Sequence, residues 1–183
     1  MAASRILVAL ATAAVLGLAG CDDDGDQGSA APPEAAAEQG GGAGVSEAAP
    51  ETPDELAEAV YAIYVEGLGA VAAWAGDPPP LEEARAELTA LKEDLITRLV
   101  ALGRIREGMS EADRASFNAK LSSLISSVDR DMYSAWNDMR LHYNAEDAEF
   151  GQMIYSLNVL TQYASFELLK EQEPEEAARL GIE

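Results

Sequence analysis

Residues 81–105 read LEEARAELTALKEDLITRLVALGRI, and this stretch decides the fold class. Its apolar residues recur at steps of three and four, which is the period of one face of an α-helix. They are Leu81, Ala84, Leu88, Leu91, Leu95, Leu99, Leu102 and Ile105. Gly108 follows and suits a helix end. The stretch therefore predicts a long amphipathic helix with a buried leucine face.

A second helical pattern precedes this stretch. Thr52 and Glu55 form a capping-box pattern with Pro53 at the first helical position, so a helix is expected to begin there. Apolar residues continue at helical spacing to Trp74, and a Gly and Pro-rich stretch at residues 76–80 ends the pattern. Mid-helix glycines at Gly67 and Gly69 suggest close approach of a neighbouring helix or a kink.

Three further helices are expected after Gly108. Ser110 suits an N-cap, and the spacing predicts one continuous helix over residues 111–143. A break at residues 144–147 precedes a fourth helix that carries apolar residues from Phe150 to Leu168. Pro174 begins a short terminal helix that ends at Gly181.

No segment alternates with period two, so strands are not expected. The fold class is therefore all-α. Residues 53–183 are predicted to form an antiparallel four-helix bundle with a short C-terminal helix, preceded by a disordered tether. Most rings are expected in the core. Asn158 and Gln162 are expected to be surface amides, with the alternative that one of them faces inward and sets the helix register or touches a partner.

The first residues have the pattern of a signal peptide, predicted over residues 1–20. Arg5 is followed by an apolar run from Ile6 to Leu18, which is too short to span a bilayer as a helix of about 20 residues. The run ends at Leu18-Ala19-Gly20-Cys21. This sequence resembles the lipobox of bacterial lipoproteins.

The resemblance implies that Cys21 carries a thioether-linked diacylglycerol. Leu18, Ala19 and Gly20 are then the residues that the signal peptidase recognises, and the chain is cut before Cys21, which also gains an N-acyl chain. Several acyl chains together give stable membrane anchoring. The expected location is the cell envelope, on the inner or outer membrane, with the domain facing the periplasm or the exterior.

Residues 21–52 are expected to hold the lipidated cysteine and an acidic tether. The tether is rich in Gly, Ala and Pro and contains no aromatic residue. Such a composition buries too little apolar area to offset its ordering entropy, so disorder is predicted.

Composition excludes several function classes. The net charge is −21, which repels nucleic acid, so no nucleic-acid partner is expected. One cysteine and one histidine leave no zinc or haem spacing, and no G-x-S-x-G elbow or EF-hand loop occurs. No catalytic set and no cofactor other than the lipid are therefore expected.

The single histidine forms the one candidate cation or proton site. Asp138, His142 and Glu146 are spaced by four residues and share a face if the helix continues. The alternative is a histidine at the bundle end bonded to a neighbouring carboxylate.

The sequence thus favours a membrane-tethered, non-enzymatic module that acts as a scaffold, adaptor or accessory subunit for a protein partner. The alternative is a lipoprotein that binds a ligand or cation between its helices.

The lipid anchor is directly testable. Replacing Cys21 with serine removes the sulfur that forms the thioether, so incorporation of labelled palmitate into the protein is expected to be lost. Labelling that persists in Cys21→Ser contradicts the anchor.

Overall fold

A computed structural model of the chain describes residues 49–182, which lie in one compact unit, Ala43–Glu183. The described part is helical and contains no strand, which confirms the all-α prediction. The predicted signal peptide, Cys21 and most of the tether lie outside the described residues.

Seven α-helices and two 3₁₀ segments account for the described fold. The helices are α1 (Pro53–Ala72), α2 (Leu81–Glu107), α3 (Glu111–Ser126), α4 (Arg130–Glu146), α5 (Ala148–Ser156), α6 (Phe166–Gln172) and α7 (Pro174–Arg179). The first 3₁₀ segment is Ala73–Gly76, and the second is Leu157–Ala164.

The predicted helix starts are confirmed where the sequence offered a capping side chain. The Glu55 amide donates to Thr52 Oγ1 over 3.2 Å, and the Thr52 amide donates to Glu55 Oε2 over 3.0 Å. Ser110 accepts from the Asp113 amide at the start of α3. Each cap satisfies backbone donors that a helix cannot satisfy itself.

The prediction of one helix over residues 111–143 is wrong. The chain leaves the helix at Ser127, and Asp129 begins α4 by accepting the Met132 amide over 2.8 Å. An aspartate competes for backbone donors and favours such a cap over a helix interior. The apolar spacing continues across this break and therefore concealed it.

The fourth predicted helix is likewise interrupted. The second 3₁₀ segment separates α5 from α6, and the chain bends at Ser165. Asn158, Val159 and Thr161 have low helix propensity, which weakens an α-helix at this point. Gln162 is buried and donates to Glu173 Oε1 over 2.7 Å, so the favoured surface position is wrong and the inward-facing alternative holds for this residue.

Helix α1 is the centre of the described fold. It contacts α2, α3, α4 and the second 3₁₀ segment, and eight of its residues are buried. A methyl group on Gly67 would lie 3.0 Å from Leu95 Cδ1 and 3.7 Å from side chains of the second 3₁₀ segment. The glycine therefore lets two neighbours approach α1 closely.

The central helix is also apolar enough to pass a simple test for a membrane span. Within residues 49–182, only the stretch Pro53–Gly76 is long and apolar enough for a membrane-spanning helix, with a mean hydropathy of 1.4. A helix that packs on several sides in a protein core has the same composition. The contacts of α1 fit a core helix rather than a membrane span.

A cluster of charges joins α2, α3 and α6. Arg106, only 5% exposed, donates to Glu167 Oε2 over 2.8 Å, and Arg114 donates to Glu167 Oε1 over 2.7 Å. The hydrogen bond from Arg106 is the main reason that the pKa of Glu167 lies below its usual value. Arg106 also lies over the ring of Phe117.

Close packing at Gly151 gives the first prediction of this structure. A methyl group at this position would lie 2.7 Å from Asn144 Cα, so backbone must move. We expect Gly151→Ala to lower the free energy of unfolding by roughly 2 kcal/mol in a denaturant titration. Gly76→Ala is the control, because a methyl group there would meet no atom within 4 Å, and it should be nearly neutral. Equal losses of unfolding free energy in Gly151→Ala and Gly76→Ala would contradict the close packing at Gly151.

The charge cluster gives a second prediction. A lowered pKa stabilises the fold above the ordinary value of 4.5, and this stability is lost as pH falls through the folded-state pKa. Glu167→Gln should therefore lower the free energy of unfolding by about 1 kcal/mol at pH 7, a value reduced because Glu167 is partly exposed. At a pH where Glu167 is protonated, the same substitution should change the free energy of unfolding very little. Glu171→Gln, an exposed change on the same helix, is the control. A loss from Glu167→Gln that stays constant as pH falls refutes this role.

Candidate interaction surface

Five large apolar side chains are exposed among the described residues. Four of them lie on α4 and on the stretch formed by α5 and the second 3₁₀ segment, and α4 packs against α5. These four are Tyr133, Leu141, Tyr155 and Val159. Clusters of this kind mark interaction sites more often than single exposed residues do.

Six residues of this surface carry no carboxylate, although Asp138 is exposed on the same helix three residues before Leu141. We call these six residues the carboxylate-free strip: Tyr133, Asn137, Arg140, Leu141, Tyr155 and Val159. The four α4 members share one helix face by their spacing. Residues 150–166 contain no Asp, Glu, Lys or Arg, although charged residues make up 25% of the chain. The strip is therefore unusual for a protein with a net charge of −21.

Arg140 joins the two halves of the strip. Its guanidinium lies 5.7 Å from the ring centroid of Tyr155, a cation–π distance. Its Nη2 also donates to Asn137 Oδ1 over 3.0 Å. The only charge of the strip is thus a cation held between an aromatic ring and an amide.

A tyrosine beneath the strip holds the second 3₁₀ segment against α1. The Tyr64 hydroxyl donates to Asn158 Oδ1 over 3.2 Å. Burial, with smaller contributions from Tyr133 and Tyr61, raises the pKa of Tyr64 to about 12. The hydroxyl therefore stays protonated and remains a donor at neutral pH. This bond positions the segment that carries Val159.

The second 3₁₀ segment is itself unusual. It has 8 residues, whereas such helices seldom exceed three or four. Long 3₁₀ stretches often mark strained or functional parts of a chain. The unusual backbone here coincides with the exposed apolar surface.

The candidate histidine site is only partly assembled. His142 Nε2 lies 3.6 Å from Glu146 Oε1, and both side chains are about half exposed. Asp138 is exposed on the same helix. Across residues 49–182 no group of three or more His, Cys, Asp or Glu residues is arranged to hold a metal ion. The pairing fits a histidine beside a neighbouring carboxylate, and the proton-relay role stays a prediction.

The other site residues of the sequence analysis are Leu18, Ala19, Gly20 and Cys21, and they lie outside the described residues. The expected core role of the rings holds for Trp136, Tyr143 and all three phenylalanines, which are buried. Tyr155 is 43% exposed and differs from that expectation. The uncharged run at residues 150–166 was the sequence signal that could have revealed the strip.

An open cleft of about 300 Å³ lies between α2, α5 and α7. Its lining residues are Thr89, Lys92, Glu93, Ile96, Met153, Glu176 and Arg179. Arg179 donates to Glu176 Oε2 over 2.8 Å and lies 3.5 Å from Glu93 Oε2. The pKa of Glu176 is lowered mainly by the bond from Arg179. The charges of the cleft thus already hold α7 against α2.

Comparison with known proteins adds no relative. No family model matches the chain, and no curated protein or solved structure resembles it significantly.

Proposed function

We propose that this chain is a lipid-anchored, non-enzymatic module of the bacterial cell envelope that acts by docking a protein. The supporting observation is the carboxylate-free strip, since exposed tyrosines and an arginine without acidic neighbours in the strip are typical of protein interfaces. The lipobox supports the anchor, with acyl chains on Cys21 as its only cofactor.

The proposed scaffold for the strip is an antiparallel four-rod bundle. Its rods are α1, α2, α3 with α4, and α5 with the second 3₁₀ segment and α6. Residue numbers run in opposite directions along α1 and α2, where Gly67 lies beside Leu95 and Glu66 pairs with Arg98. They rise together along the first and third rods and along the second and fourth rods, as in an up-down-up-down bundle. The contact pairs are Glu58 with Lys120, Gly69 with Met132, Trp74 with Tyr143, Arg85 with Asp147 and Arg106 with Glu167.

Protein docking is favoured over the alternative of ligand binding. The cleft between α2, α5 and α7 is at the lower limit of ligand-pocket volumes, which begin near roughly 300 Å³. Its Arg179 is already engaged by two carboxylates, so an anionic ligand must displace them. A protein that docks on the strip does not have to displace such carboxylates.

Photo-crosslinking of the full chain in its own membranes tests this proposal. A benzophenone amino acid in place of Tyr155 should give one discrete adduct of defined mass, because a docked protein covers that position. The same probe at Leu168, which is 38% exposed on α6, is the control and should give none. Absence of an adduct at Tyr155, or equal adducts at both positions, contradicts docking through the strip.

A further inference from the structure

We propose that the cleft between α2, α5 and α7 binds a small zwitterion with an apolar side chain, which is the chemistry of a free aliphatic amino acid. The inference goes beyond docking, because the cleft and the carboxylate-free strip lie on different faces of α5. Met153 lines the cleft and Tyr155 belongs to the strip, and two residues on from each other are about 200° apart around a helix. The proposal depends on the lysine of the cleft, its apolar floor, its charge balance and its size.

Lys92 supplies the cleft with an ammonium group. Its side chain is half-buried, and among residues 49–182 it forms neither a hydrogen bond nor an ion pair. The other cation of the cleft, Arg179, is held by Glu176 and lies 3.5 Å from Glu93. Lys92 acts on Glu176 only as one of the smaller contributions that lower the pKa of that carboxyl. A lysine ammonium has three donors, so Lys92 can bond to the carboxylate of a ligand.

One face of α2 carries both polar and apolar groups into the cleft. The four residues that α2 contributes are spaced by three, one and three positions, so they share a helix face. They are Thr89, Lys92, Glu93 and Ile96. Ile96 is 2% exposed and forms an apolar floor together with Met153. Glu93 approaches Arg179 with Oε2, which leaves its Oε1 to accept from the ammonium of a ligand.

The charges of the cleft favour a ligand that carries both signs. The cleft has two cations and two carboxylates, so it is neutral although the chain has a net charge of −21. A simple carboxylate meets repulsion from Glu93 and Glu176, and a simple amine meets repulsion from Lys92 and Arg179. An α-amino acid places its carboxylate at Lys92 and its ammonium at Glu93, which are adjacent in the helix. Each charge of the ligand then has an opposite charge beside it.

The volume of the cleft limits the ligand to a small molecule. It measures about 300 Å³, the lower limit for ligand pockets, and can hold a free amino acid. An aliphatic side chain covers the floor formed by Ile96 and Met153 and removes apolar surface from water. Because the cleft is open and offers few polar contacts, we expect a Kd on the order of 1 mM.

Saturation-transfer NMR on L-leucine mixed with the purified full chain tests the site. We expect saturation of the leucine methyl signals that titrates with a Kd on the order of 1 mM. Two analogues test the two charges separately, because isocaproate lacks the ammonium and isoamylamine lacks the carboxylate. Each analogue should bind at least tenfold more weakly than leucine.

A substitution at Lys92 tests which residue holds the ligand. Lys92→Gln removes the ammonium but no hydrogen bond of the described residues, so leucine should bind at least tenfold more weakly while the circular dichroism spectrum stays unchanged. Arg104→Gln removes an exposed cation of α2 outside the cleft and is the control, so it should leave leucine binding unchanged.

Three results would overturn the zwitterion site. They are no saturation of leucine at about 10 mM, binding of either analogue as tight as that of leucine, and equal leucine binding by Lys92→Gln and the unchanged chain. None of them affects docking at the strip, because the photo-crosslink at Tyr155 does not depend on the cleft.

Discussion

Burial of α1 on several sides is the constraint on which the rest of the described structure depends. The helix contacts α2, α3, α4 and the second 3₁₀ segment, and its buried residues run from Leu56 to Val71. Gly67 is needed because Leu95 approaches the position of a side chain to 3.0 Å. The neighbours of α1 therefore expose their polar faces outward, which is where the acidic residues lie.

One part of that outer surface exposes apolar side chains instead of acidic ones. The second 3₁₀ segment contacts α1 through Leu157, Leu160 and the bond from Tyr64 to Asn158, and its exposed side carries Val159 rather than a charged residue. The cost of exposing apolar area in water is the physical reason to treat this surface as functional. Tyr155, which precedes this segment, has its ring centroid 5.7 Å from the guanidinium of Arg140 and joins this surface to α4.

The sequence predicted the elements whose signals are local. Thr52 with Glu55, Ser110, Gly108 and Pro174 are caps or stops whose chemistry acts within a few residues, and the structure has helix ends at each. The breaks at Asp129 and Ser165 were missed because apolar spacing continues through them. Gln162 was misplaced because its partner, Glu173, lies eleven residues away between α6 and α7.

The site was less predictable than the fold. Four-residue spacing drew attention to Asp138, His142 and Glu146, yet spacing on one helix cannot show what neighbouring helices contribute. The strip joins α4 to Tyr155 through the contact of Arg140, and only packing brings those two segments together. Its signal in the sequence was the absence of charge over residues 150–166, which periodicity of apolar residues does not measure.

Amide hydrogen exchange of the full chain, compared with and without vesicles, tests most directly the claim that α1 forms the core of the described fold. We expect slow exchange throughout Leu56–Val71 in both conditions, because the contacts that bury α1 are made within the protein. An α1 that is protected only when vesicles are present would contradict this packing.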